Sequence, residues 1–128
     1  RKFNKPLVLH CVKAHGPVLD ILAQESFTGI VHGFSGSFEV AERYVHLGYK
    51  ISVGRGIFSK GYKGLKESVK RLPLEALLIE SDSSHGDQEH PDKILQKVAE
   101  TVAEIRSVPV EKVFEVTRQT ANEVFKFG

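Results

Sequence analysis

Hydrophobic and polar positions along this chain alternate between two kinds of stretch. Short, unbroken apolar runs are followed by longer segments with helical spacing. Leu7 to Cys11 is a short buried strand bounded by Pro6. Pro17 then stands where a helix tolerates proline, in its first turn, and Val18, Leu19, Ile21 and Leu22 continue with helical periodicity. Gly29 opens a second strand that ends at His32, and Gly33-Phe34-Ser35-Gly36-Ser37 is a turn. Ser37 is the expected N-cap of the next helix, with Glu39 in its first turn, Val40, Ala41, Tyr44, Val45 and Leu47 on its apolar side, and Gly48 as its stop. Tyr49 to Val53 is a third strand, and Gly54-Arg55-Gly56 is expected as a flexible loop. A more polar helix over about Tyr62 to Arg71 leads through Pro73 to a fourth strand, Ala76 to Glu80. Ser81 to His90 is polar and loop-like. Pro91 starts a long helix through Ile94, Leu95, Val98, Val102 and Ile105, Val108-Pro109 breaks it, and Val110 to Phe125 is the last helix.

Four β/α units in succession imply an α/β fold with a parallel sheet, because parallel strands need crossover helices. Two architectures fit: an open three-layer sandwich, or half of an eight-stranded (β/α)8 barrel. A whole barrel takes about 250 residues, and this chain has 128. It contains no methionine and begins Arg1-Lys2-Phe3, which reads as a piece of something longer. Residues 1–128 are therefore expected to form one unit, the carboxyl-terminal half of a barrel. The inner face of such a half is built to be buried and its outer strands expose unpaired edges. It is expected to pair with an amino-terminal half on a separate chain, or with a second copy of itself.

Composition narrows the setting. With 41% apolar and 27% charged residues the chain is an ordinary globular one, and a net charge of +2 is too small to argue for nucleic-acid binding by itself. No apolar stretch approaches the roughly 20 residues of a membrane span. The single cysteine, Cys11, excludes an internal disulfide and fits a reducing compartment, so the expected location is cytoplasmic.

Candidate chemistry lies where the apolar runs end. His10, His32 and the Glu80-Ser81-Asp82 segment follow three of the strands, and the carboxyl ends of parallel strands share the edge at which α/β proteins do their chemistry. Two imidazoles and a carboxylate there read as part of a metal site, with open positions suited to catalysis. His15 lies five residues past His10, a spacing unlike the i, i+4 pair of a helical zinc site, and is expected to cap a helix or line a substrate cleft. Lys13 and Arg55 are weaker candidates for an anionic substrate. A Cys11–His10 nucleophile pair is disfavoured because adjacent strand residues point to opposite faces. The glycine loops match neither the phosphate loop nor the dinucleotide fingerprint. His85, Asp87, Glu89 and His90 read as solvated loop polarity, and His46 as surface.

Val8-Leu9-His10-Cys11, Val31-His32-Gly33-Phe34-Ser35-Gly36-Ser37 and Leu77-Leu78-Ile79-Glu80-Ser81-Asp82-Ser83 together resemble the TatD-type deoxyribonucleases, metal-dependent amidohydrolase-like barrels. The similarity extends through Gly48 to Val53 and the closing Asn122-Glu123-Val124-Phe125. The resemblance implies a (β/α)8 TIM barrel holding one or two divalent ions (Zn, Mn or Mg) and hydrolysing phosphodiesters, usually in DNA. It implies His10 and His32 on one metal and Asp82 on the other, with Asp82 near the nucleophilic water as the catalytic residue. The family also carries a His-x-His pair on an early strand and a bridging glutamate; here these would precede Arg1. Val12 stands where arginine is frequent, and Ser83-Ser84-His85 where a proline and an apolar residue are common. The rival readings are a half-barrel that assembles without catalysing, a hydrolase of another ester or amide bond, and a small open-sheet binding protein with its site at a reversal of strand order.

Overall fold

The computed structural model describes residues 7–10, 15–23, 29–81 and 90–124. Four strands, β1 (Leu7–His10), β2 (Gly29–His32), β3 (Tyr49–Val53) and β4 (Leu77–Ile79), form one parallel sheet in the order β1-β2-β3-β4. Five helices accompany them: α1 (His15–Leu22), α2 (Phe38–His46), α3 (Lys63–Arg71), α4 (Pro91–Arg106) and α5 (Val110–Val124). Every pair of neighbours in the sheet is also a pair of neighbours in sequence. The order has no reversal among the described strands, so the crevice on which an open-sheet binding protein depends is absent from them.

The strand parity shows on which side the helices lie. Val31, Ile51, Val53 and Leu77 are buried in one apolar cluster with Leu19 of α1, Tyr44 of α2, Val69 of α3, Val98 of α4 and Val113 of α5. All five helices therefore share one apolar core with that face of the sheet. The alternate residues Ile30, Ser52 and Leu78 are buried but lie outside that cluster, and Val8 on β1, the register partner of Ile30, is 46% exposed. A sheet with consecutive parallel strands and helices on one side is the wall of a barrel rather than the middle of a sandwich. Fully burying each large aliphatic side chain on the helix face contributes about 1.5–3 kcal/mol, which makes this layer the main source of cohesion.

Local chemistry sets the element boundaries. Ser37 accepts a hydrogen bond from the Val40 amide at 3.2 Å and caps α2 as expected. Gly48, with φ 97°, takes the left-handed turn that sends the chain into β3. Pro91 occupies the first turn of α4, and His90 caps it, its Nδ1 accepting from the Asp92 amide at 3.1 Å. Arg106, at the end of α4, donates to the carbonyls of Val69 and Lys70 at 3.0 Å and to that of Leu72, satisfying the last turn of α3. Thr120 of α5 donates to the Glu75 carbonyl at 3.1 Å, just ahead of β4.

Two expectations need correction. Gly54-Arg55-Gly56 is not a flexible loop: Arg55–Phe58 forms a 3-10 turn, because Ile57 is driven into the core. The fourth strand starts at Leu77 rather than Ala76, since Leu74–Ala76 is another 3-10 turn that buries Leu74 and Ala76. No helix among the described residues is long and apolar enough to cross a membrane.

Candidate metal centre at the carboxyl edge of the sheet

All four strands run the same way, so His10, His32, Val53 and Ile79 end on one edge. In the β1–β2 ladder, His10 is the register partner of His32. Adjacent strands are about 4.8 Å apart, so the backbone sets these two histidines side by side. The side chain of His10 lies outside the described residues.

His32 is partly exposed, and its Nδ1 stands 2.9 Å from Oε1 of Glu80. Glu80 follows β4 directly, and its amide donates to the Val53 carbonyl at 2.9 Å, which carries the β3–β4 ladder one residue past the strand. Ser52, buried on β3, donates its hydroxyl to the same Oε1. The three residues come from three successive strands, and their parity puts them on the sheet face away from the helices. Gly54 completes the pocket: a methyl group there would stand 3.0 Å from Cγ of Glu80 and 3.2 Å from Oε2. The glycine leaves the space that the carboxylate fills. Directly after His32, Gly33 has φ 68°, a left-handed conformation that turns the chain off the sheet.

The donor set suits a divalent cation. A partly exposed imidazole backed by a carboxylate is a recurrent arrangement of histidine ligands. Among the described residues no three His, Cys, Asp or Glu side chains converge into a complete cage. Asp82 and Lys13 lie outside the described residues, as do Cys11, His85, Asp87 and Glu89.

His15 is the first residue of α1 and engages an aromatic cluster. Its Nδ1 is 2.9 Å from Tyr44 Oη, and its ring centroid lies 5.4 Å from that of Phe34. Burial pushes the imidazole below its ordinary value of 6.5. Tyr44 packs edge-on against Tyr49, and burial raises both phenols, Tyr49 further through the charge of Tyr44. In its described contacts His15, at the start of α1, packs against Tyr44 of α2 and Phe34 of the turn before it. Arg55 is half-buried at the start of the 3-10 turn that follows β3, on the same edge as Glu80. His46 is exposed near the end of α2, and His90 is a helix cap.

Sequence reasoning named Glu80 only as part of the segment leading to Asp82 and did not single out Ser52. The available signal was parity: Ser52 on β3 and Glu80, just past β4, are polar residues on the face that His32 shares.

The chain is similar to known proteins along nearly its whole length. The TatD-related DNase family profile matches residues 1–126. An uncharacterized metal-dependent hydrolase of Haemophilus influenzae is 32% identical over 98% of this chain and 51% of its own length. The human deoxyribonuclease TATDN3 is 30% identical over 98% of this chain and 47% of its own length. The crystal structure of YjjV, a TatD homolog from Escherichia coli, superposes with a TM-score of 0.82 at 28% identity, covering 96% of this chain and 51% of the other. The chain thus spans about half the length of the relatives it matches. A consecutive parallel sheet, histidines at its carboxyl edge and a profile match over nearly every residue lead to one conclusion: the chain belongs to the TatD-related DNase family.

Proposed function

We propose that this chain is the carboxyl-terminal half of a cytoplasmic metal-dependent hydrolase barrel that cleaves phosphodiester bonds in DNA. The observation that carries the reading is the placement of His32: partly exposed at the carboxyl edge of the sheet, in register with His10 and backed by Glu80. An amino-terminal half, or a second copy of this chain, completes the barrel and the ligand set.

In this reading His10 and His32 would hold one divalent ion and Asp82 the other. A bound Zn, Mn or Mg ion would lower the pKa of water and offset charge on the phosphoryl oxygens. Asp82 orients the attacking water and takes up its proton. Lys13, His15 and Arg55 are the weaker contacts to the phosphate backbone in this reading. The sheet supports His10 and His32 rigidly, because each is the last residue of a hydrogen-bonded strand. The name of the human relative favours DNA over other phosphoesters. Carboxylic esters and amides are the alternative substrates, and a half-barrel that only assembles is the alternative role.

The test is a thermal melt of the purified chain with Zn²⁺, Mn²⁺ or Mg²⁺. A site occupied at a hundredfold excess over Kd adds about 2.7 kcal/mol of stability, which is readily seen as a rise in Tm. His10→Ala combined with His32→Ala abolishes that rise. An equal rise in the double variant would refute the site. Metal-dependent nicking of duplex DNA, set against a panel of chromogenic esters and amides, then assigns the substrate class in the completed barrel.

A further inference from the structure

We propose that Glu80 is a positioning residue, anchored by Ser52, that fixes the His32 ring in the tautomer whose Nε2 carries the lone pair offered to the cation. The proposal rests on the reading of His32 as a metal ligand and adds what selects the nitrogen used. A carboxylate oxygen only accepts hydrogen bonds. At 2.9 Å from Glu80 Oε1, the Nδ1 of His32 is therefore the nitrogen that carries the hydrogen. In the neutral ring the lone pair is then left on Nε2.

Three features favour positioning over direct ligation for Glu80. Its Oε1 already accepts from both His32 and the Ser52 hydroxyl. Its Oε2 is directed toward Gly54 at the end of β3, in space that any larger residue would occupy. Its side chain is 15% exposed, about half the figure for His32. The carboxylate therefore sits behind the imidazole. Ser52 is buried on a central strand, so its hydroxyl offers a fixed donor that holds Oε1 in place. Glu80 is itself tied to β3 through its amide. The ring orientation is thus set by two strands that do not carry it.

The deciding experiment reads the tautomer directly, by long-range ¹H–¹⁵N correlation on the histidine-labelled chain at alkaline pH without metal. The native protein and Glu80→Gln, which retains an Oε1 acceptor, show the Nδ1–H form of His32. Glu80→Leu shows a mixture of tautomers, and Ser52→Ala an intermediate population. Calorimetric titration with Zn²⁺ alone then gives affinity losses of roughly 10–100-fold for Glu80→Leu, the range for residues that orient a ligand, with smaller losses for Glu80→Gln. A merely structural role would change stability and leave the tautomer untouched. If Glu80→Leu and Glu80→Gln both keep the native tautomer and the native Zn²⁺ affinity, the positioning role is overturned while the metal site stands. If the native chain shows the Nδ1–H tautomer, lost in Glu80→Leu, but takes up no Zn²⁺, the tautomer device stands and the metal-site reading fails.

Discussion

Gly16 and Gly64 each stand second in a helix, α1 and α3, and by propensity alone alanine should improve both. Their surroundings differ. Around Gly16 nothing beyond its chain neighbours lies within 4 Å of an added methyl group. The next residue is Pro17, whose Cδ crowds the Cβ of a helical residue before it, which offsets the gain of about 0.4–1 kcal/mol from restricting the unfolded chain; Gly16→Ala should leave stability near that of the native chain. At Gly64 a methyl group would stand 2.9 Å from the carbonyl carbon of Gly36, closer still to its oxygen, and 3.0 Å from Cα of Ser37. Ordinary carbon–carbon contact is about 3.5–4.0 Å, so α3 or the Gly36-Ser37 turn must retreat by roughly 1 Å. The obstacle is backbone, which has no rotamer to change. Overpacking of this kind costs about 1–3 kcal/mol. Taking the upper end and subtracting the helix gain of about 1 kcal/mol leaves a net loss near 2 kcal/mol. For a chain of this size that lowers Tm by about 6–10 °C. Urea denaturation followed by circular dichroism gives both free energies, and matched m-values would show that the unfolded state is not the cause. A Gly64→Ala variant as stable as the native chain would refute the argument that close backbone approach, and not helix propensity, explains this glycine. The turn concerned is the one that follows His32, so the variant should also weaken cation binding.

Three further outcomes follow from the site and its surroundings. Because burial lowers the folded-state pKa of His15 below 6.5, the unfolded chain binds more protons through that window; stability is highest above about pH 6.5 and declines as pH falls toward the lowered value. Denaturation midpoints measured across this range should flatten in His15→Gln, and an unchanged slope would count against the assignment. Tyr49 Oη is buried without a hydrogen-bond partner among the described residues; Tyr49→Phe should therefore raise stability by about 1 kcal/mol, and a loss of similar size in thermal melts would reveal a partner. Gly54→Ala should push the Glu80 carboxylate by a few tenths of an ångström and lower Zn²⁺ affinity while moving Tm little; equal affinity by calorimetry would show that the space beside β3 is not needed.

The sheet was legible because each strand is a short apolar run closed by a glycine, proline or polar residue. Gly29–His32 and Tyr49–Val53 match their expected bounds, and Ser37 and Pro91 open the helices expected of them. Strand order was not legible, since a run such as Leu77–Ile79 reads the same in a sandwich and in a barrel until its neighbours are known. The two 3-10 turns escaped because what shapes them is the burial of Ile57 and of Leu74, a tertiary effect. In the site, His10 and His32 stood out because imidazole is conspicuous after an apolar run. Ser52 and Glu80 did not, because serine and glutamate are common and their meaning here depends on a contact spanning 28 positions.

The amide of Glu80 bonds to Val53, beyond the last residue of its own strand. The support behind His32 is thereby fastened to the sheet before the chain enters the segment containing Asp82. Insertions or exchanges further along that segment can then change what borders the site without disturbing the imidazole. The anchor of the histidine and the residues that follow it are free to vary on separate stretches of sequence.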